Sequence, residues 1–348
     1  MDQLQEDGIV KYKMAVLQTP GMAQLVERDL PEPEATQVVI AIKASSICGS
    51  DLHLYKGKHP SATLPVSLGH ELAGDVVSIG SKVKSVHTGD RVTVEPVIAC
   101  GACPPCRKGE YGYCDNLSYH YRKGQGAMAE YFVVDQRYVY KLPDEMSYEA
   151  GALIEPLAVA VHAVKRAKIG LGDNVVIIGA GPIGILVGAV CKAAGAREII
   201  VADIADVRLE MASAMGATRT INSLNESVVD VVRQVTGGRG IGRSFECAGN
   251  EKTFEQAMRC LCKGGVATMV GIFEQPTIQI PVTLFVSQEI TVQGAQGYCW
   301  DFETALALTS VIDLNKLVSH VFPLDEVDKA LKVALSRDEK PVKVILKP

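Results

Sequence analysis

Positive charge in excess is the first thing this sequence lacks. Its 35 Lys and Arg stand against 40 Asp and Glu, a formal charge of −5, so no global basic field exists to gather nucleic acid or an anionic membrane surface. Small molecules are the partners that balance leaves. No secretory leader is expected either, because MDQLQEDG at 1–8 has no basic stretch followed by an apolar core. Nor is there an unbroken apolar run of membrane length. The longest uncharged run, Val175 to Cys191, is cut in its first half by Gly179, Gly181, Pro182 and Gly184, so no membrane partner is expected. Internal repeats and low-complexity segments are absent. What remains, 348 residues at 47% hydrophobic and 22% charged, is ordinary globular text long enough for about two domains.

Ten cysteines are present, and five of them fall into metal-type spacings. Cys191, Cys247, Cys260, Cys262 and Cys299 are scattered, which suits a reducing compartment and a cytoplasmic location. Among the five, Cys48 opens CGSDLH at 48–53, and His70 and Glu71 stand in GHELAGDVVSIG at 69–80. Thiolate, imidazole and carboxylate are the donor types of a catalytic zinc that keeps a fourth position open. Either half alone has a bland reading, a small buried thiol or a satisfied polar histidine; together they are specific. Cys100, Cys103, Cys106 and Cys114 are spaced by two, two and seven residues. Four thiolates on one Gly/Pro-rich loop close a tetrahedral site, which makes it structural. An iron–sulfur cluster or a nucleic-acid zinc ribbon is the rival, and the acidic balance and the single compact loop disfavour both.

Short β-rich runs at 37–45, 71–80 and 91–96, broken by Gly, Pro and Asp, read as a small antiparallel barrel. Ser50 and His53 follow the first of these as either a polar turn or a hydroxyl–imidazole route for a proton. Another β stretch at 129–143 precedes Ser147, an N-cap with Glu149 in the first turn of a helix to about Ala167. That helix carries Glu155-Pro156 in apolar surroundings, where a carboxylate is costly unless paired or near a metal. His162, on roughly the same face, reads as a core or interface histidine. From Asp173 a four-residue apolar strand runs into Gly179, Gly181, Pro182, Ile183 and Gly184 and then a helix, with Asp203 24 residues after Gly179 at the end of the next strand. This is the dinucleotide fingerprint with its ribose-binding acid. Strands and helices then alternate through 244–249, 254–265 and 266–272, as in a doubly wound α/β domain, and the loops Cys247–Gly249 and Val270–Ile272 fall along its crevice. A β run at 289–295 ends the pattern.

Gly69, His70, Glu71, Gly74 and Gly80 fit, position for position, the signature GHE, two residues, Gly, five residues, Gly. On it, and on the order of the motifs after it, the chain resembles the zinc-containing medium-chain alcohol dehydrogenases over nearly its whole length. The resemblance implies an α/β protein with a discontinuous, β-barrel-like (GroES-like) catalytic domain, residues 1–155 and 296–348 with a structural-zinc lobe at 96–116, and a doubly wound Rossmann domain at 156–295. It implies one catalytic and one structural zinc per chain, and NAD bound by Gly179, Gly181, Pro182, Ile183, Gly184, Asp203, Arg208, Val270 and Ile272. It gives Ser50 and His53 a proton relay, Asp51 the orienting of His70, and Glu155 a reach to the catalytic zinc or its water; whether Glu71 or Glu155 is the inner ligand stays open. A homo-oligomer, dimer or tetramer, pairing through 289–295, is implied as well.

The stretches CGSDLH, VEPVIACGAC and GALIEPLAVAVHAV look most like the polyol and butanediol dehydrogenases, which implies hydride transfer between NAD(H) and a secondary alcohol or its ketone. Gly49, where liver-type enzymes place Arg, is shared with that group. Gly297-Tyr298 departs from the Arg-Tyr of sorbitol-type enzymes. L-threonine 3-dehydrogenases fit almost as well. The reading from another class is a non-catalytic, zinc-stabilised nucleotide-binding protein, against which stand the open ligand set and the relay pair.

Overall fold

Alternating apolar and polar residues make the first part of the chain a series of strands: β1 (Lys11–Thr19), β2 (Met22–Asp29), β3 (Gln37–Ser46), β4 (Val66–Ser67), β5 (Glu71–Ile79), β6 (Arg91–Val94), β7 (Val97–Ile98), β8 (Ser118–Tyr119), β9 (Tyr131–Asp135) and β10 (Val139–Lys141). The computed structural model describes residues 10–59, 63–336 and 338–348, so the reading at 1–8 lies outside it. Six strands follow, β11 (Asn174–Ile178), β12 (Glu198–Asp203), β13 (Arg219–Asn222), β14 (Ile241–Glu246), β15 (Leu261–Met269) and β16 (Thr291–Gly294), the first two with near-continuous apolar runs, and the chain ends on β17 (Val318–Pro323) and β18 (Lys343–Lys347).

Two compact units result, Met1–Glu155 with Val318–Pro348, and Pro156–Leu317. In the first, one sheet runs β10-β6-β5-β3-β18-β17 with β9 also on β3, and a second runs β2-β1-β4. The Ala15 N–H donates to the Met128 carbonyl at 2.8 Å and the Ile42 N–H to the Glu130 carbonyl at 2.9 Å, so residues 128–130 stitch the two sheets into a barrel-like body. Its core takes Leu54 and Tyr55 from the helix Gly49–Tyr55, and Val327, Ala330, Leu331 and Leu346 from the chain's end. The terminal segment belongs here because burying those side chains is what keeps it folded.

The second unit holds a fully parallel sheet, β13-β12-β11-β14-β15-β16, with helices following its strands. Strands buried on both faces explain why β11 and β12 read as solid apolar runs. Among the described residues no helix is long and apolar enough to cross a membrane.

Three expectations change. The helix after Ser147 is two helices, Tyr148–Ala152 and Ile154–Ala167, broken at Leu153. Glu155-Pro156 then sits in a first turn, where proline removes no hydrogen bond and an acid is favoured by the helix dipole. β15 begins at Leu261, inside the segment read as helical, because buried Leu261 pairs with Ile241. Residues 296–317 join the Pro156–Leu317 unit and not the catalytic one. The reason is Asp301, 1% exposed, which lies 2.9 Å from His162 Nδ1 and accepts from Lys165 Nζ at 2.7 Å. His162, read as a core or interface residue, thus anchors that segment to its own helix.

Candidate active site

β3 and β5 are antiparallel neighbours with Ser46 opposite Glu71, so Cys48, two residues beyond Ser46, and His70, one before Glu71, meet at one end of the ladder. Cys48, His70 and Glu71 each offer a ligand atom, all within 4.8 Å of one another. The glycines of the signature make this approach possible. Gly69 has φ +86, and a Cβ there would sit 2.7 Å from the Met128 nitrogen; a Cβ on Gly74 would overlap the Ala41 carbonyl of β3.

Asp51, in the helix that Cys48 caps, is 1% exposed. Its carboxylate accepts from the Cys48 N–H at 2.9 Å and the Gly69 N–H at 3.0 Å. It therefore ties together the two segments that carry the ligands and acts on the His70 ring through its charge, where the sequence had suggested direct orientation. Ser50 and His53 lie three residues apart on that helix and are both half-buried, which puts them on one face. The Ser50 hydroxyl also hydrogen-bonds Cys48.

Lys343 is the residue the sequence did not reveal. β18 pairs with β3 (Leu346 with Ser45, Ile345 with Ser46) and carries Lys343 into the site, 3% exposed. Its Nζ lies 2.6 Å from Glu71 Oε2 and donates to the Ile47 carbonyl at 3.1 Å. Burial works against its charge, but Glu71, Cys48 and Glu155 more than offset that and hold it above the ordinary lysine value. The one available signal was a lysine opening an otherwise apolar strand, KVILK.

Glu155 is 5% exposed and stands outside the tight three-ligand group. Burial pushes its carboxyl up to about 8, against the pull of His70 and with the repulsion of Glu71 and Cys48. Burial likewise drives the Cys48 thiol up to about 12, with Glu71 adding to the rise. For His70 burial lowers the value, yet Asp51, Glu155 and Glu71 together leave it raised. Four acidic groups crowd one histidine and one lysine in a dry site where burial favours the protonated Cys48 and Glu155, and a divalent cation bound there would displace those protons.

Cys100, Cys103, Cys106 and Cys114 also place their sulfurs within 4.8 Å of one another. Zinc–sulfur bonds of about 2.3 Å need tetrahedral sulfurs about 3.8 Å apart, and Cys100 Sγ and Cys106 Sγ are 4.0 Å apart. Backbone N–H groups of Cys100 and Asn116 point at Cys114 Sγ, and that of Cys103 at Cys100 Sγ, at 3.3–3.4 Å. Hydrogen bonds from the Ala102 and Cys103 backbone lower the Cys100 thiol to about 6, whereas burial and the neighbouring thiols push Cys106 up to about 12, so the loop on its own favours one thiolate, at Cys100.

In the other unit, Gly179 has φ +100 and closes the turn after β11. A Cβ on Gly184 would overlap the Gly179 carbonyl, whereas one on Gly181, at the N-cap of the helix Pro182–Ala193, would meet nothing within 4 Å. That open position at a helix N-terminus can admit a pyrophosphate. Asp203 ends β12, and its carboxylate accepts from the N–H groups of Ala180 (2.6 Å), Ile204 (2.8 Å) and Ala205 (3.0 Å). Since a carboxylate has about four acceptor sites, Asp203 shapes the glycine turn and keeps capacity for a ribose. Arg208 stands in the next helix, and Val270 and Ile272 follow β15, partly exposed.

Comparison with known proteins accords with this layout. Residues 34–144 match the model of the alcohol dehydrogenase GroES-like domain, and 182–310 that of the zinc-binding dehydrogenases. The chain is 33% identical to a sorbitol dehydrogenase of Bacillus subtilis over 97% of both chains. It is 35% identical to an L-threonine 3-dehydrogenase of Pyrococcus horikoshii over 95% of this chain and 97% of that one. The crystal structure of a 2R,3R-butanediol dehydrogenase from Bacillus subtilis superposes with a TM-score of 0.88 at 33% identity, covering 97% and 99% of the two chains.

Proposed function

The chain belongs to the zinc-dependent medium-chain polyol dehydrogenase family, and from that premise we propose that it moves hydride between NAD(H) and a secondary alcohol, a polyol or vicinal diol, and the matching ketone. The observation that carries this reading is the convergence of Cys48, His70 and Glu71 within 4.8 Å. Their donor types fit zinc, and the four thiols of the lobe fit a second, structural one. Zinc, when bound, supplies a Lewis acid that lowers the pKa of an alcohol as it lowers that of water.

The protein's own groups do the rest. Ser50 accepts the hydroxyl proton and His53 passes it on to solvent, while the carbinol hydrogen leaves as hydride for nicotinamide; ketone, NADH and one proton result. Gly179, Gly181 and Gly184 let the pyrophosphate approach, and Asp203 receives the adenosine ribose. Glu155 offers an acceptor to a second hydroxyl on the carbon beside the reacting one. Losing such a partner in a dry site costs about 1–3 kcal/mol, roughly tenfold or more in rate. The same acceptor suits the ammonium of threonine, which with the 35% identity to a threonine enzyme makes the amino-acid reading the second one.

The test is NADH absorbance with 2,3-butanediol, sorbitol, threonine and 2-butanol, using wild type and Glu155→Gln. Diols or polyols should exceed 2-butanol in kcat/KM by about tenfold or more, and Glu155→Gln, which keeps one acceptor oxygen but drops the charge, should shrink the advantage. Equal rates for 2-butanol sink the substrate assignment; threonine as the best substrate moves it to the amino acid. Tight NADH binding without turnover of any of the four would favour the non-catalytic reading.

A further inference from the structure

Glu246 closes β14, is fully buried, and takes no part in the chemistry above. Because β14 lies between β11 and β15, its end opens between the glycine turn after β11 and the loop after β15. Its Oε1 accepts from the Ala248 N–H at 2.9 Å, the Gly249 N–H at 2.7 Å and the Thr253 hydroxyl at 2.7 Å. Its main-chain carbonyl accepts from the N–H groups of Val270 (2.9 Å) and Gly271 (3.0 Å). One residue thus folds one loop back on the strand end and pins the next.

These loops are pressed together. A Cβ on Gly249 would overlap the Ile272 carbonyl, one on Gly271 would stand 2.7 Å from Glu246 Oε2, and one on Gly179 2.9 Å from the Ala248 nitrogen. Glu246 Oε2 itself is buried without a hydrogen-bond partner among the described residues. Burial pushes the carboxyl above the ordinary range, although Thr253 and backbone donors pull the other way. An acid buried with one oxygen unused is a cost to folding. Such a residue is explained by the geometry it fixes.

Strand order says which geometry that is. Asp203 ends β12, on the opposite side of β11 from β14. With adenosine ribose at that acid and pyrophosphate over the glycine turn, the nicotinamide half is left over the ends of β14 and β15. We propose that Glu246 is a positioning residue for the nicotinamide half of the dinucleotide, its carboxyl fixing the 247–250 loop, against which the 270–272 loop held by its main-chain carbonyl is packed. The inference rests on the NAD reading above.

The test compares NADH, followed by its fluorescence, with ADP-ribose, which lacks nicotinamide, followed by calorimetry. Glu246→Ala should weaken NADH about tenfold or more and leave ADP-ribose within about twofold, and Glu246→Gln, which keeps an acceptor at Oε1, should recover NADH to within about threefold. Should Glu246→Ala fail to fold, Thr253→Val removes one of the three donors and should cost NADH alone about threefold. Equal weakening of both ligands, or unchanged NADH affinity, overturns the role. Wild-type protein that binds neither ligand refutes the cofactor reading itself, so the two failures are distinguishable.

Discussion

At Lys343 a full positive charge is held where water hardly reaches, 2.6 Å from a carboxylate that is itself fully buried. Removing one member of a buried pair strands the other, at a cost of about 3–5 kcal/mol. Lys343→Met is therefore expected to lose stability on that scale in zinc-depleted protein, and to lose less once zinc is restored, because the cation takes over the balancing of Glu71. Thermal unfolding with and without zinc checks both statements; an equal loss in the two conditions would show that Lys343 only packs. The grouping of Cys48, His70 and Glu71 is legible in the sequence because their donor types stand in a glycine signature, whose Gly74 records the close approach of β5 to β3. Lys343 is not legible, since β18 brings it in by pairing with β3, and its hydrogen-bond partner Ile47 lies 296 residues away in the chain. Asp203 is half legible. Its place after β12 announces a ribose acceptor, but its three backbone donors appear only in the fold. A carboxylate repels a 2′-phosphate, so NAD should be preferred to NADP. Asp203→Asn, which keeps an oxygen for the turn and drops the charge, should shrink that preference about tenfold, as read from kcat/KM with each cofactor. Wild-type use of NADP equal to NAD would remove the role given to Asp203, with Arg208 then the group to examine.

Among the elements, the Cys100–Cys114 lobe has almost no secondary structure of its own: one short helix, Pro104–Arg107, and a 3-10 turn, Tyr111–Tyr113. Its order is therefore expected to depend in large part on a metal held by the four sulfurs. Cys106→Ser is expected to lower the unfolding free energy by at least about 2 kcal/mol, whereas Cys48→Ser should stop turnover with a much smaller shift. Melting curves and steady-state rates on the two variants separate the sites, and a stable Cys106→Ser protein would deny the lobe its structural part. Strands and the nucleotide-binding turn are readable because apolar periodicity and glycine spacing are local. Boundaries are less so. The early start of β15 at Leu261 is decided by tertiary pairing, and the allegiance of residues 296–317 by a carboxylate, Asp301, whose partners lie in another helix.

On the scale of the whole molecule, the two sets of functional residues have no member in common. Cys48, His70, Glu71, Glu155, Lys343 and the lobe lie in Met1–Glu155 with Val318–Pro348, and Gly179 to Gly184, Asp203 and Glu246 lie in Pro156–Leu317. Each set is held by its own sheet, and each sheet has its own buried core. Cofactor affinity and metal chemistry should then separate on mutation. Cys48→Ser, which takes away the one thiolate of the open site, is expected to bind NADH within about twofold of wild type while kcat falls about a thousandfold or more. Glu246→Ala should do the reverse, losing NADH affinity while keeping the full complement of zinc, because none of its hydrogen bonds reaches a metal ligand. Fluorescence titration, steady-state rates and metal analysis on the same two preparations check these outcomes. If NADH affinity in Cys48→Ser fell in step with turnover, the open metal site would itself be supporting the cofactor, and assigning each ligand to a single unit would have to be abandoned.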